Sequence, residues 1–135
     1  MATLKLEIVT PEARIYSEEV EMVTLPGVEG EMGIFPMHIP LMTQITHGEI
    51  IARKGAVEFP LAVGEGFVQV TGDRVAVLTD MAIKADDIDE QKAEEARKRA
   101  EARLSEKLTE EEHASVQAAL LHSLTQLNVK RRRRQ

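Results

Sequence analysis

The chain has 135 residues, enough for one domain or for one domain with a small appendage. It contains no cysteine and no tryptophan, so disulfides and cysteine-ligated zinc are excluded and the core must be largely aliphatic. The net charge is −6, but five of the 17 basic residues lie at positions 130–134, which leaves 12 basic against 23 acidic groups in residues 1–129. Such an acidic body would repel phosphates, and no segment approaches the length of a membrane span, so we expect neither nucleic-acid binding nor direct membrane insertion.

Residues 1–85 have the pattern of short β-strands. Leu4, Leu6 and Ile8 alternate with Lys5 and Glu7, which is the period of two expected of a half-buried strand. Further β-rich runs lie near residues 14–25, 49–53, 57–63, 67–71 and 74–80. Many short strands separated by glycine-containing turns indicate an antiparallel sandwich or barrel.

Residues 30–40 read Gly-Glu-Met-Gly-Ile-Phe-Pro-Met-His-Ile-Pro. Two glycines and two prolines in eleven residues argue against a helix and against a continuous strand. The backbone is therefore expected to be stiff, although it carries five apolar side chains and one histidine. One interpretation is a docking surface for a partner protein; the other is a buried crossover between two sheets.

The composition changes at residue 86, where helix-forming Ala, Glu, Lys and Arg replace the β-branched residues. Small side chains at helical spacing, Ala93, Ala96, Ala100 and Leu104, predict a first helix within residues 86–108. Thr109 followed by three glutamates is a capping box and predicts a second helix. The apolar face of that helix consists of Val116, Leu120, Leu124 and Leu127. Because the connection is short, we expect an antiparallel helical hairpin that buries little surface and is only loosely held in one arrangement.

The run at residues 30–40 closely resembles the motif of the epsilon subunit of F-type ATP synthases. Val9-Thr10-Pro11, the strand that starts at Gly64, and Asp87-Ile88-Asp89 match the family in the same register. The resemblance covers essentially the whole chain. It implies a ten-stranded β-sandwich at residues 1–85, followed by a two-helix hairpin with a basic tail at residues 86–135.

The function implied by this resemblance is that of a non-catalytic central-stalk subunit at the cytoplasmic face of a bacterial plasma membrane. It would couple the gamma subunit to the membrane rotor ring, and its mobile hairpin would restrain ATP hydrolysis. The resemblance places the contacts with gamma and the ring on Glu31, Met32, Gly33, Met37, His38, Ile39, Met42 and Thr43. No catalytic residue, metal ligand or required cofactor is implied.

The basic tail has two interpretations. It is either a frayed, solvated terminus or, as the resemblance implies, a contact with acidic segments of the catalytic alpha and beta subunits. In the second interpretation the binding residues are Arg131, Arg132, Arg133 and Arg134. Two other functions stay open at this point: a module that senses nucleotide between sandwich and hairpin, and a nucleic-acid binder that acts through the tail.

Some bacterial members of this family bind ATP through an Ile/Leu-Asp-x-x-Arg-Ala motif. The corresponding residues run from Ile88 to Ala93 here, and Lys92 replaces the arginine beside Asp89. Lysine keeps the charge but lacks the planar guanidinium fork. His122 and Gln126 stand where ATP-binding members carry arginines, and Ile83 stands where they carry an acidic residue. Asp89 and Lys92 are thus only weak candidates for binding ATP. Asp86, Asp87 and Asp89 could suggest a metal site, but carboxylates at a helix start are more simply explained by capping and the helix dipole.

Overall fold

Ten strands are followed by two helices in the computed structural model, which describes residues 2–134 except for the side chain of Arg134. The strands are β1 (Leu4–Val9), β2 (Arg14–Val20), β3 (Met22–Gly27), β4 (Gly30–Ile34), β5 (Leu41–Ile45), β6 (Gly48–Lys54), β7 (Val57–Val63), β8 (Gly66–Thr71), β9 (Arg74–Thr79) and β10 (Ala82–Lys84). A 3-10 turn (Ala85–Asp87) leads into helices α1 (Glu90–Leu104) and α2 (Glu110–Arg134). The predicted succession of strands and helices is confirmed.

The strands form two layers that meet at β3 and β5. One layer runs β10-β7-β6-β3, with β4 also paired to β3, and the other runs β5-β8-β9-β1-β2. Within the described residues, β3 and β5 share only the pair Gly27 and Ile45, so the sheet folds over on itself at this point. The strand pairs are antiparallel except for β1 and β9, which are parallel in the described chain.

The core lies between the two layers and is aliphatic, as the composition requires. The alternating residues Leu4, Leu6 and Ile8 of β1 are all buried, and Val75 and Val77 of β9 are buried opposite them. Strands of the other layer contribute Val23, Leu25, Ile50, Ala52, Leu61 and Val63 to the same cluster. The period of two in the sequence therefore identified the inward-facing side chains correctly.

Two local predictions differ from the structure. Residues 30–40 do not form one continuous strand, as predicted, but residues 30–34, which were not among the predicted β-rich runs, form β4 and pair with β3 from Gly30 to Ile34. The glycines are tolerated because β4 pairs on one side only and because Gly30, with a φ of 132°, makes the turn out of β3. The β-rich run at 14–25 is interrupted at Glu21, since β2 and β3 belong to different layers.

Helix α1 lies within the predicted range of residues 86–108, and both helices of the hairpin are capped at their starts. Helix α1 starts at Glu90, and the Asp89 carboxylate accepts a hydrogen bond of 3.1 Å from the backbone N–H of Lys92. The capping box of α2 is formed: the N–H of Glu112 donates to the Thr109 hydroxyl, and the N–H of Thr109 donates to the Glu112 carboxylate, each at 3.1 Å. The hydrogen bond from the Thr109 backbone N–H to the Glu112 carboxylate holds the pKa of Glu112 below its usual value.

We predict that Gly66→Ala destabilises the sandwich, because β8 passes too close to β9 for a side chain at this position. An added Cβ would overlap the carbonyl oxygen of Leu78 and lie 2.8 Å from the Cα of Thr79, both of them backbone atoms. Forcing such atoms apart costs about 1–3 kcal/mol or more. In the control Gly33→Ala, the new Cβ meets only the flexible end of Met22, at 3.0 Å. Denaturant unfolding of the full chain measures the difference, and equal midpoints for the two variants would contradict the prediction.

Candidate functional site

The segment of residues 30–43, which we call the docking segment, exposes an unusual number of large apolar side chains. Relative exposure is 54% for Phe35, 81% for Met37, 76% for Ile39 and 68% for Met42. Ile34, directly before Phe35, is buried and anchors the segment to the core. Of the two interpretations of this segment, the buried crossover does not fit these exposures, since most of the apolar side chains face solvent.

The docking segment is held in one conformation by specific backbone contacts. Met37 has a φ of 64°, which is costly for a residue with a side chain, and its N–H donates to the Asp73 carboxylate at 3.0 Å. The Nδ1 atom of His38 lies 2.7 Å from the carbonyl oxygen of Ile39, so this nitrogen must carry the proton and donate. The turn between β8 and β9 therefore fixes the exposed side chains in place, which lowers the entropy lost when a partner binds.

The predicted contact residues do not all face solvent. Met32, His38 and Thr43 are half-buried, and Met32 packs against the core. The others in this segment, Glu31, Gly33, Met37, Ile39 and Met42, are exposed. The freely accessible apolar surface of the docking segment is therefore concentrated at residues 35–42.

Sequence reasoning missed an apolar patch on the outer face of the neighbouring strands. Phe67 on β8 and Leu78 on β9 are direct cross-strand partners, with exposures of 57% and 59%. Met42 on β5 pairs with Gln69, two residues from Phe67 on the same face of β8, so this patch continues the docking segment. The signal was present in the sequence, because Phe67 is out of phase with the buried Val68 and Val70.

The basic end of α2 folds back onto the protein instead of projecting into solvent. Arg131 contacts Glu90 at 3.0 Å and Glu94 at 2.9 Å, both on α1. Arg133 contacts Glu49 at 3.0 Å and Glu58 at 3.2 Å, and Arg132 contacts the other oxygen of Glu49 at 3.3 Å. The helix continues through Arg134, whose side chain lies outside the described residues.

Hydrogen bonds within these ion pairs shift the pKa values of Arg131, Arg133 and Glu94. The hydrogen bond to Glu49 raises the pKa of Arg133, and the hydrogen bond to Glu90 raises that of Arg131. The pKa of Glu94 is lowered, chiefly by its hydrogen bond to Arg97 on the same helix and then by Arg131. The acidic partners that the sequence interpretation placed on another subunit are thus also available within this chain.

The remaining contact between sandwich and hairpin, which we call the seam, is small. Its apolar part consists of Ala62, Ala85, Ile88 and Val129, with Ile83 at the edge. Its polar part includes His122, whose Nε2 lies 3.1 Å from the Asp80 carboxylate, and Lys130, which donates to the carbonyl oxygen of Ala85 at 3.2 Å. Thr125 is buried there, and its hydroxyl has no partner in the described chain. Few apolar atoms are buried at the seam, so polar contacts supply much of its specificity.

The residues considered for ATP binding are engaged in contacts within the protein. Asp89 caps α1, His122 faces Asp80, and the Gln126 amide lies 3.7 Å from the sulfur of Met81. The cleft beside His122 has a volume of about 90 Å³, well below the roughly 300 Å³ at which ligand pockets usually begin. Neither Asp89 nor Lys92 lines it.

Across residues 2–134, no three acidic or histidine side chains are grouped so as to hold a metal ion. Neither helix, over its described length, is apolar enough to cross a bilayer.

Comparison with known proteins gives matches along the whole chain. The family model "ATP synthase, Delta/Epsilon chain, beta-sandwich domain" matches residues 3–85, and "ATP synthase, Delta/Epsilon chain, long alpha-helix domain" matches residues 86–131. The ATP synthase epsilon chain of Dehalococcoides mccartyi is 47% identical, over 99% of this chain and 96% of its own length. That of Herpetosiphon aurantiacus is 43% identical, over 97% of this chain and 96% of its own.

A solved structure shares the fold at lower identity. A chain of the mitochondrial ATP synthase of Euglena gracilis superposes with a TM-score of 0.73 and 23% identity, covering 93% of this chain and 79% of that one. At this identity the likeness concerns the fold alone. The family matches and the bacterial relatives lead to one conclusion: the chain belongs to the epsilon-chain family of ATP synthases.

Proposed function

We propose that this chain is a non-catalytic central-stalk subunit that couples the gamma subunit to the membrane rotor ring of a proton-translocating F-type ATP synthase. The observation that carries the proposal is the docking segment, with large apolar side chains exposed on a backbone that is already fixed. Exposed apolar groups of this size are typical of surfaces that a partner covers. Membership of the epsilon-chain family makes the ATP synthase the natural source of that partner.

The docking segment alone is too small for a stable protein interface, which buries about 800 Å² on each side. The outer face of β5, β8 and β9, with Met42, Phe67 and Leu78, supplies adjoining apolar area. We assign the rigid tip at residues 35–40 and this face to one continuous surface for gamma and the ring. The subunit would then lie at the cytoplasmic side of a bacterial plasma membrane and reach the bilayer only through its partners.

The second part of the proposal concerns the hairpin. The seam is small, so the docked hairpin differs from a released one by a free energy that modest contacts can offset. A released hairpin would bring Arg131–Arg134 to acidic segments of the catalytic alpha and beta subunits and hinder ATP hydrolysis. The chain itself performs no catalysis in this scheme.

The direct test is co-assembly. Tagged full-length chain should recover gamma and the ring from the solubilised complex, and it should bind isolated gamma at matched concentrations. Failure to bind gamma, with the sandwich shown to be folded by circular dichroism, would exclude the stalk assignment.

We propose further that the chain does not act as an ATP sensor at micromolar nucleotide. The replacement of arginine by Lys92 removes a bidentate phosphate contact, and His122 is already committed to Asp80. Calorimetry with the isolated chain should give a dissociation constant weaker than about 100 μM, equivalent to less than about 5.5 kcal/mol of binding free energy. A low micromolar constant would instead support the nucleotide-sensing alternative.

A further inference from the structure

Glu49 on β6 is a carboxylate in an unusual position. Its side chain is only 5% exposed, although it lies on a strand of the sandwich and carries a negative charge. Burying a carboxylate is costly unless cations or hydrogen-bond donors compensate it. In the described chain, its ion pairs run to Arg132 and Arg133, one to each carboxylate oxygen.

The two arginines come from the last turn of α2, 83 and 84 positions further along the chain. Arg133 also contacts Glu58 on β7, while Arg131, two positions earlier, pairs with α1. The end of α2 is therefore held by ion pairs on two sides, to the sandwich on one side and to α1 on the other. The buried apolar part of the seam consists of two alanines, one isoleucine and one valine, with Ile83 at its edge.

We propose that Arg132 and Arg133, with Glu49 as their receptor, form an intramolecular latch that holds the hairpin docked on the sandwich. The latch uses the same arginine side chains that a released hairpin would present to acidic groups of a partner. Docked and released states therefore compete for one set of cations, and acidic groups of a partner that replace Glu49 favour release of the hairpin. This inference rests on the proposed function only for its regulatory consequence; the latch itself is a property of the isolated chain.

A substitution at Glu49 tests the docked contact separately from the contact with a partner. Removing the arginines weakens both the docked contact and any contact with a partner, whereas Glu49→Gln weakens the docked contact alone. Glutamine keeps the shape and can still accept a hydrogen bond, so the variant removes charge without opening a cavity. Glu12→Gln is the matched control, since Glu12 is exposed on the loop after β1 and its loss changes the net charge by the same amount.

The absence of cysteine from the sequence makes a distance measurement simple. Cysteines at Thr71 on β8 and Gln117 on α2, both exposed and outside the latch, carry a pair of spin labels or fluorophores in the full chain. Glu49→Gln should increase the released fraction about three- to tenfold at low salt, the range expected for two partly exposed ion pairs. Glu12→Gln should leave the released fraction unchanged.

Two further arms make the result decisive. Raising the salt concentration should increase the released fraction in the chain that keeps Glu49, because salt screens its ion pairs with Arg132 and Arg133. The effect should be smaller in Glu49→Gln, in which these ion pairs are already lost. The double variant Arg132→Gln with Arg133→Gln should open the hairpin as Glu49→Gln does, and combining all three changes should add little more. Additive opening, or a released fraction in Glu49→Gln that equals that of Glu12→Gln, would overturn the latch.

The assembled enzyme distinguishes failure of the latch from failure of the proposed brake. If both ideas hold, Glu49→Gln should lower the rate of ATP hydrolysis, because more hairpins are released while the arginines remain intact. An open hairpin with an unchanged hydrolysis rate would support the latch and overturn the inhibitory role. A closed hairpin in Glu49→Gln overturns the latch whatever the hydrolysis rate.

Discussion

Cutting the chain after Asp87 should increase ATP hydrolysis by the assembled enzyme, roughly fivefold or more if the hairpin contributes a typical regulatory coupling free energy. The cut removes both helices but leaves the ten strands, because β10 ends at Lys84. It also leaves the docking segment and the patch at Phe67 and Leu78, so the truncated chain should still assemble and support ATP synthesis. The measurement is the ATPase rate of the reconstituted complex, with the full chain as reference.

Deletion of residues 130–135 should also increase hydrolysis, but less. The deletion removes Lys130 and Arg131–Arg133, which stabilise the docked hairpin through Ala85, Glu90, Glu94 and Glu49. It also removes the cations that a released hairpin would present to the catalytic subunits. The first loss releases more hairpins, but the second leaves the released hairpins without the arginines that hinder hydrolysis. Because the helices themselves remain, the rate of hydrolysis should lie between that of the full chain and that of the chain cut at Asp87.

Salt provides an internal control for this series. Contacts made by exposed arginines weaken as the Debye length falls from about 10 Å at 0.1 M to about 3 Å at 1 M. The difference between the full chain and the 130–135 deletion should therefore shrink at high salt, whereas the cut at Asp87 should keep its higher rate. Equal rates for the full chain and both truncated chains at every salt concentration would show that the helices do not regulate hydrolysis.

Features of this fold that depend on residues close in sequence were predicted, whereas those that depend on distant residues were not. The alternation in β1 and the capping box at Thr109 and Glu112 depend on neighbours within a few residues, and both were predicted correctly. Strand β4 was missed because its glycines and the turn at Gly30 are acceptable only beside β3, a pairing that local composition does not encode.

The candidate site shows the same division. Exposure of the docking segment could be suspected from its apolar residues beside prolines, but the contact between Met37 and Asp73 joins residues 36 positions apart. The tail was recognised as a cluster of charge, but the cluster alone does not identify its partners. Glu49 is one acidic residue among 23 in the sequence, and only the packing of α2 over β6 distinguishes it.

Placing a charge at Met37 or Met42 should weaken binding to gamma and the ring by at least tenfold, because central apolar contacts of an interface commonly contribute 2 kcal/mol or more, about 30-fold in affinity. A carboxylate at either position would be desolvated in the complex without a partner. In the free chain both side chains are largely exposed, at 81% and 68%, so Met37→Glu and Met42→Glu should fold with little loss of stability.

The matched control is Val57→Glu, which introduces the same charge at an apolar side chain that is 55% exposed on β7, outside the docking segment. Binding to gamma and the ring is measured by surface-immobilised titration, and thermal unfolding is recorded for each variant. Unchanged affinity of both methionine variants, with Val57→Glu also unchanged, would show that residues 35–42 are not the surface that the partners cover. Weakened binding by all three would point to a general charge effect instead, because β7 lies in the layer opposite β5 and β8. Only selective loss at Met37 and Met42 supports a docking surface built on the conformation that Asp73 imposes on this segment.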